Sequence, residues 1–215
     1  MNTILCYGDS NTWGAKPLQS LELVERFGRD ERWTSVLQRE LGEDYEVIAE
    51  GCNGRTTVWD DPIEGHKNGK TYLFPILDSH SPLDLVIIML GTNDLKARFS
   101  VMPSDIASSA GVLVDIVQRH PVQVTGAPQP QVLLIAPPPL HTELPDFFVE
   151  MLAGGYEKSL RFSECYRNVA QQRQCAFLDA ATIIKSSKID GIHFDQPDHL
   201  LLGTAVAKIV NQMLG

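Results

Sequence analysis

"LDLVIIMLG" at residues 83–91 is an almost continuous run of apolar side chains. Such a run is typical of a strand that is buried on both faces, as in a parallel sheet covered by helices. On either side of it, further stretches have the composition of strands: 3–8, 45–51, 131–137 and 175–180. Helical stretches separate these strands, and the alternation predicts a three-layer α/β/α fold around a parallel five-stranded sheet.

The stretches between the strands repeat their apolar residues at helical spacing. We predict helices within 33–41, 106–117, 202–213 and roughly 156–172, and Ser104 is the predicted N-cap of the helix that contains 106–117. Two longer regions, 52–75 and 137–148, lack this pattern, and long loops inside an α/β protein are usually functional or flexible. Because no linker, repeat or low-complexity segment interrupts the sequence, we predict a single domain over residues 1–215.

The composition argues against several classes of function. A formal net charge of −9 is unfavourable for binding nucleic acid or an anionic membrane surface, so neither is an expected partner. The longest apolar run is too short to span a bilayer, and the first residues have no secretory-signal pattern. The four cysteines lack metal-site spacing, so we expect no bound metal and a reduced, cytoplasmic protein.

Small and hydrogen-bonding residues follow four of the five predicted strands. They form the segments "GDSNTWG" (8–14), "GCNGRTT" (51–57), "GTND" (91–94) and, after a short excursion, "DGIHF" (190–194). Ligands of open α/β sheets bind outside the carboxyl ends of the strands, where these four segments would meet. The sequence therefore predicts a functional site at this edge of the sheet.

The four segments contain the groups that a serine hydrolase requires. A serine hydroxyl such as that of Ser10 is a weak nucleophile unless a base takes its proton, and His193 with Asp190 supplies a base and its orienting carboxylate. The backbone N–H groups of Ser10 and Gly54 and the side-chain amide of Asn93 are candidate donors to an oxyanion. This set predicts nucleophilic catalysis that needs no metal or organic cofactor.

Each segment also has a simpler structural interpretation. Gly, Asp, Ser and Asn are common in turns, so "GDS", "GTND" and "DGIH" taken singly fit ordinary turns and caps. A second alternative is a flavodoxin-like binding protein, in which the loop after the first strand holds a phosphate and Trp13 stacks on a ring. That alternative leaves Asn93 and the Asp190–His193 pair without a role. The conjunction of all four segments favours the hydrolase.

The four segments resemble the SGNH hydrolases, also called GDSL-type esterases. The letters of that name correspond to Ser10, Gly54, Asn93 and His193, and the resemblance implies that Asp190 and His193 complete a triad with Ser10. It also implies a flavodoxin-like α/β/α fold. The arylesterase and acyltransferase branch is the most similar part of the family, on the segments "ILCYGDSNTWG", "RWTSVLQRELG", "EVIAEGCNGRTT" and "LDLVIIMLGTND".

The resemblance implies hydrolysis of small aryl or alkyl esters with short acyl groups, and acyl transfer to alcohols in some members. A carbohydrate deacetylase, an acyl thioesterase and a lysophospholipase of the same family remain alternatives. Asn11 stands where the family name has leucine. The predicted substrate-pocket residues are Asn11, Thr12, Trp13, Phe147 and Phe148. The two phenylalanines lie in the region 137–155, which is alternatively a contact between copies of a homo-oligomer.

Overall fold

A computed structural model describes all residues from 1 to 215. Its five strands form one parallel sheet in the order β2-β1-β3-β4-β5. This is the flavodoxin-like order, with the topological switch point between β1 and β3. The predicted fold class is thereby confirmed, whereas the single domain stays a prediction. The strands are β1 (Asn2–Gly8), β2 (Tyr45–Gly51), β3 (Leu85–Met89), β4 (Gln131–Ala136) and β5 (Ala176–Asp179).

Eight α-helices connect and follow the strands. They are α1 (Ser10–Trp13), α2 (Trp33–Leu41), α3 (Gly69–His80), α4 (Pro103–Arg119), α5 (Asp146–Val149), α6 (Gly155–Ser159), α7 (Phe162–Arg173) and α8 (Gln196–Leu214). Three short 3-10 helices cover Asn93–Leu95, Ala97–Phe99 and Ala180–Thr182. None of the helices combines the length and the apolar character that a membrane crossing requires.

Helices cover the two faces of the sheet and create two separate cores. Successive side chains of a strand point to opposite faces, so Leu5 and Tyr7 of β1 join one core while Ile4 and Cys6 join the other. The first core lies against α3, α4 and α7, and the second lies against α2 and α8. Because both faces are covered, every residue of β3 is buried, as its continuous apolar run predicts.

Helix α3 begins within a region that the sequence pattern assigns to a loop. The region 52–75 was expected to be irregular, but the chain becomes helical at Gly69. Asn68 caps this helix by accepting the Thr71 N–H at 3.3 Å. The helix contains Pro75, which removes a backbone donor and is rare in a helix interior. The glycine at its start and the proline inside it are both unfavourable in helices, so the sequence does not show the pattern expected of a helix here.

Two other helices begin differently from the predictions. Helix α4 starts at Pro103, so Met102 and not Ser104 occupies the N-cap position. Proline suits the first helical position because its missing N–H needs no partner there, and Asp105 accepts the Met102 N–H at 3.1 Å. The stretch predicted as one helix over 156–172 is divided into α6 and α7.

His199 is a fully buried histidine at the junction of α8 and α2. Its Nδ1 accepts the Trp33 N–H at 3.2 Å, and its Nε2 has no partner in the protein. The rings of Phe27 and Phe194 lie against it, with centroids 5.0 and 5.7 Å away. Burial, assisted by the charges of His193 and Arg32, lowers the pKa of His199 to about 4.

This lowered pKa predicts a loss of stability on mild acidification. In the unfolded chain, His199 becomes protonated below the ordinary histidine pKa of about 6.5. In the folded protein it becomes protonated only near pH 4, so acidification between these values favours the unfolded state. Between pH 7.5 and 5 we expect the native protein to lose about 2 kcal/mol more unfolding free energy than His199→Asn. Urea unfolding of both proteins at the two pH values measures this difference, and equal losses would contradict the prediction. Asparagine keeps an acceptor for the Trp33 N–H, and the other titrating groups are common to both proteins.

Candidate active site

Ser10 is the first residue of α1, directly beyond the carboxyl end of β1. The preceding Asp9 caps this short helix by accepting the Asn11 N–H at 3.0 Å. The last residue of β1, Gly8, has to be glycine because a Cβ there would overlap the side chain of Thr12, which folds back beneath it. The "GDS" segment is therefore a tight strand-to-helix bend that places the Ser10 hydroxyl at the sheet edge, 7% exposed.

His193 and Asp190 reach Ser10 from the loop before α8. His193 Nε2 lies 3.0 Å from Ser10 Oγ, and His193 Nδ1 lies 2.5 Å from Asp190 Oδ2. Asp190 is fully buried and also accepts the backbone N–H groups of Leu18, Ile192 and His193 at 2.7–2.9 Å. Burial alone would raise the pKa of Asp190, but these bonds and the imidazole charge outweigh it and lower the pKa. The carboxylate therefore stays ionised and orients the imidazole.

Gly54 and Asn93 bring two further donors to the same place. Gly54 has a φ of +78°, and a Cβ there would overlap the carboxylate of Glu64, so the position requires glycine. Its N–H donates to no acceptor within the protein. Asn93 begins the 3-10 helix after β3 and donates one amide hydrogen to the Arg55 carbonyl at 3.2 Å. Its second amide hydrogen remains available for another acceptor.

A cavity of about 220 Å³ adjoins these residues. Gly54, Asn93 and His193 line it, and Ser10 and Asp190 lie behind His193, which contacts both. The structure thus brings together the triad and oxyanion residues that the sequence predicts. Much of the remaining wall is apolar and comes from three separate segments of the chain: Leu18, Leu21, Phe148, Met151, Leu152 and Ile192.

Of the predicted pocket residues, Phe148 alone lines this cavity. Phe147 lines an adjoining groove of about 450 Å³ that shares Met151 with it. Thr12 is fully buried beneath Gly8, and the Trp13 ring is covered by the Arg26 guanidinium at 4.4 Å. Neither side chain lines the cavity, because Thr12 packs against Gly8 and Trp13 against Arg26.

Asn11 lies outside the cavity as well, and it contacts both neighbours of His193. Its Oδ1 accepts the Phe194 N–H at 3.2 Å, and its Nδ2 donates to the Ile192 carbonyl at 3.4 Å. The residue after the nucleophile therefore holds the loop that carries the base. A leucine, which the family name has here, would form neither bond. The departure from the family name thus has a structural role in this chain.

A buried ionic cluster on the cavity wall was missed from the sequence. Lys96 is only 5% exposed and pairs with Glu64, and both side chains line the cavity. Arg98 pairs with Glu64 at 3.2 Å, and Asp61 lies within 3.5 Å of both basic groups. The only available signal was that Lys96 follows "GTND" by two residues. No group of His, Cys, Asp or Glu side chains has an arrangement that would hold a metal ion.

Asp9 and Asp94 are buried carboxyls that support the site without facing the cavity. Asp94 accepts the backbone N–H and the hydroxyl of Thr57, which links the second polar segment to the third. Burial raises the pKa of Asp9 to about 6 and that of Asp94 to about 7, although their hydrogen bonds act in the opposite direction. Their hydrogen bonds make both carboxyls anchors of their turns.

Comparison with known proteins identifies the family. The model of the GDSL-like lipase/acylhydrolase family matches residues 6–201. None of the curated proteins compared with the chain matches it. Among solved structures, the M. smegmatis aryl esterase is 43% identical with a TM-score of 0.96. Est24, a carbohydrate acetylesterase from Sinorhizobium meliloti, is 42% identical with a TM-score of 0.96. Both alignments cover 100% of each chain.

These matches decide between a hydrolase and a flavodoxin-like binding protein. A flavodoxin-like binding protein would share the strand order but not a family match over residues 6–201. The resemblance drawn from the four polar segments agrees with the matched family and with both solved relatives. The chain belongs to the GDSL-like lipase/acylhydrolase family and is a carboxylic ester hydrolase.

Proposed function

We propose that Ser10, His193 and Asp190 are the catalytic triad of this esterase. The observation that carries the proposal is the continuous hydrogen-bonded chain from Ser10 Oγ to His193 Nε2 at 3.0 Å and from His193 Nδ1 to Asp190 Oδ2 at 2.5 Å. The proposed oxyanion hole consists of the Ser10 and Gly54 backbone N–H groups and the Asn93 amide.

The reaction proceeds in two halves. Ser10 Oγ bonds to the ester carbonyl carbon while His193 Nε2 takes the hydroxyl proton, and the oxyanion is held by the three donors. The carbon–oxygen bond to the alcohol then breaks, and His193 returns its proton to the departing alkoxide. Water, deprotonated by His193, attacks the acyl-serine. As the second tetrahedral intermediate collapses, the bond to Ser10 Oγ breaks, His193 returns its proton to Ser10 Oγ, and the acid is released.

We propose small esters with short acyl groups as substrates. A cavity of about 220 Å³ has room for a small ester, and its apolar wall suits an acyl chain or an aromatic ring. The solved relatives support aryl esters and acetylated carbohydrates as the first substrates to test. Because the apolar wall limits water near the acyl-serine, an alcohol is proposed as an alternative acceptor, which gives acyl transfer.

Acetylated carbohydrates are a second candidate, favoured by the Glu64–Lys96 pair. These two charged groups line the cavity beside Gly54 and supply both acceptors and donors. Sugar hydroxyl groups can form hydrogen bonds with this carboxylate and this ammonium group, whereas an unsubstituted aromatic ring cannot.

A panel of esters tests these proposals with the native chain. It compares phenyl acetate, phenyl hexanoate, an acetylated monosaccharide, an acyl thioester and a lysophospholipid, each with and without methanol. We expect the highest kcat/KM for the acetate esters and a methyl ester product when methanol is present. A preference for the thioester or the lysophospholipid would replace the proposed substrate class.

We propose the partners and the location of the protein from its net charge, its cysteines and its exposed apolar side chains. A net charge of −9 supports a protein that binds neither nucleic acid nor an anionic membrane surface. Four free cysteines support a reducing, cytoplasmic location. Leu21, Leu23 and Val24 are each half exposed on one loop, which supports a homo-oligomer, and light scattering of the purified protein measures its mass.

Phe148 is expected to limit the length of the acyl group. It lines the cavity at 6% exposure and is held edge-on by Phe147, with ring centroids 4.7 Å apart. Replacing it with leucine enlarges the cavity, so we expect the hexanoate-to-acetate ratio of kcat/KM to rise about tenfold. Phe177→Leu, on β5, is the matched control and should leave the ratio unchanged. An unaltered ratio in Phe148→Leu would place the acyl chain elsewhere.

A further inference from the structure

Arg55 is a buried cation that the triad mechanism does not use. It is 6% exposed and takes part in none of the ion pairs of the protein. Its guanidinium lies 4.2 Å from the centre of the Tyr7 ring, and its Nη1 donates to two backbone carbonyls. A buried charge without a carboxylate partner is costly, so this arrangement needs a reason.

The side chain of Arg55 holds the segment that carries Ser10. Its Nη1 donates to the Gly8 carbonyl at 2.9 Å and also to the carbonyl of Glu50. The Gly8 carbonyl accepts the Cys52 N–H at 3.1 Å as well, so the first and second polar segments are joined at this atom. Gly8 precedes Ser10 by two residues, so these bonds hold the backbone that leads into the Ser10 N–H.

The backbone of Arg55 holds the other two oxyanion donors. Its N–H donates to the Cys52 carbonyl at 3.0 Å and closes the turn that presents the Gly54 N–H. Its carbonyl accepts one amide hydrogen of Asn93 at 3.2 Å, which fixes the orientation of that amide. One residue therefore contacts the segments of all three donors, which come from β1, β2 and β3.

We propose that Arg55 is the positioning residue of the oxyanion hole, locking the Ser10, Gly54 and Asn93 donors into one geometry through its guanidinium and its own peptide groups. This inference rests on the proposed function. Its Nη1 donates to carbonyls of two adjacent strand ends while the guanidinium lies over the Tyr7 ring, a combination that a planar group can hold and an ammonium cannot. The role acts through the donors, so it affects the transition state more than substrate binding.

Arg55→Ala and Arg55→Lys test the proposal with phenyl acetate as substrate. Titration of Ser10 with a fluorophosphonate gives the concentration of folded active sites, so kcat refers to these alone. We expect Arg55→Ala to lower kcat about 100-fold, the effect of losing one oxyanion donor, with KM nearly unchanged. Binding of a trifluoromethyl ketone, whose adduct mimics the oxyanion, should weaken by the same factor.

Guanidinium ions at concentrations below those that unfold the protein should restore part of the kcat of Arg55→Ala. Arg55→Lys keeps the charge but loses the planar group that stacks on Tyr7, so its kcat should fall about tenfold, and it provides the test if Arg55→Ala does not fold. Arg167→Ala is the matched control, because Arg167 also stacks on an aromatic ring, Phe177 at 5.3 Å, but is exposed on the outer face of α7.

A native kcat per active site in Arg55→Lys, or a change in KM alone, would overturn the positioning role. A loss of thermal stability with unchanged kcat would mean that Arg55 only stabilises the fold, which also overturns it. These results leave the proposed function standing. Absence of ester turnover or of Ser10 labelling in the native chain would instead overturn the proposed function, and this inference with it.

Discussion

Replacing Ser10 with alanine should lower kcat for phenyl acetate by about 10⁴-fold or more, the usual effect of removing a triad nucleophile. The reason is geometric, since Ser10 Oγ is the hydroxyl that lies 3.0 Å from His193 Nε2 and no acyl-serine forms without it. Substrate binding should persist, because the cavity wall and the Gly54 and Asn93 donors are untouched. Initial rates measure the loss of turnover, the absence of fluorophosphonate labelling reports the loss of the nucleophile, and calorimetric titration of the variant with phenyl acetate measures the retained binding.

Ser79→Ala is the matched control for this substitution. Ser79 is exposed on α3, and its hydroxyl bonds only to the Ile76 carbonyl of its own helix at 3.2 Å. We expect native turnover and native labelling from this variant. Turnover near the native rate in Ser10→Ala, after contaminating esterases are excluded, would show that another group is the nucleophile.

Asp190→Asn is expected to lower kcat by about 10⁴-fold. Both oxygens of Asp190 already accept, one from the Ile192 and His193 N–H groups and the other from Leu18 N–H and the imidazole. An amide NH₂ in either place opposes a donor, so the ring loses the tautomer that leaves Nε2 free to take a proton. The asparagine side chain also lacks the charge that stabilises the imidazolium.

Asp179→Asn separates this effect from a general loss of a carboxylate. Asp179 ends β5 and accepts only a backbone N–H, that of Ala181 at 3.1 Å, through its side chain. Its variant should keep native kcat, while Asp190→Asn should show the loss with Ser10 still present. A loss smaller than about tenfold in Asp190→Asn would contradict the orienting role. Unfolding in urea shows whether either variant is destabilised.

The strands and the chemical groups of the site were predictable because each is encoded locally. The apolar run in 83–91 predicts a buried strand, because a strand that is covered on both faces needs apolar side chains at nearly every position. The polar segments follow the strands directly, so the rule that ligands bind at the carboxyl edge brings them together. Helix α3 was not predictable in this way, because its apolar spacing is interrupted by Pro75 and its stability comes from packing in the first core.

The sequence by itself therefore determined the sheet, the two helical layers and the order in which the nucleophile, donors and base follow the strands. Only the tertiary structure decided which side chains face the cavity. Asn11 and Thr12 follow the nucleophile directly but turn inward, whereas Glu64 and Lys96, far apart in sequence, meet on the cavity wall. The physical reason is that periodicity and turn chemistry act over a few residues, while a cavity wall is set by packing between distant loops.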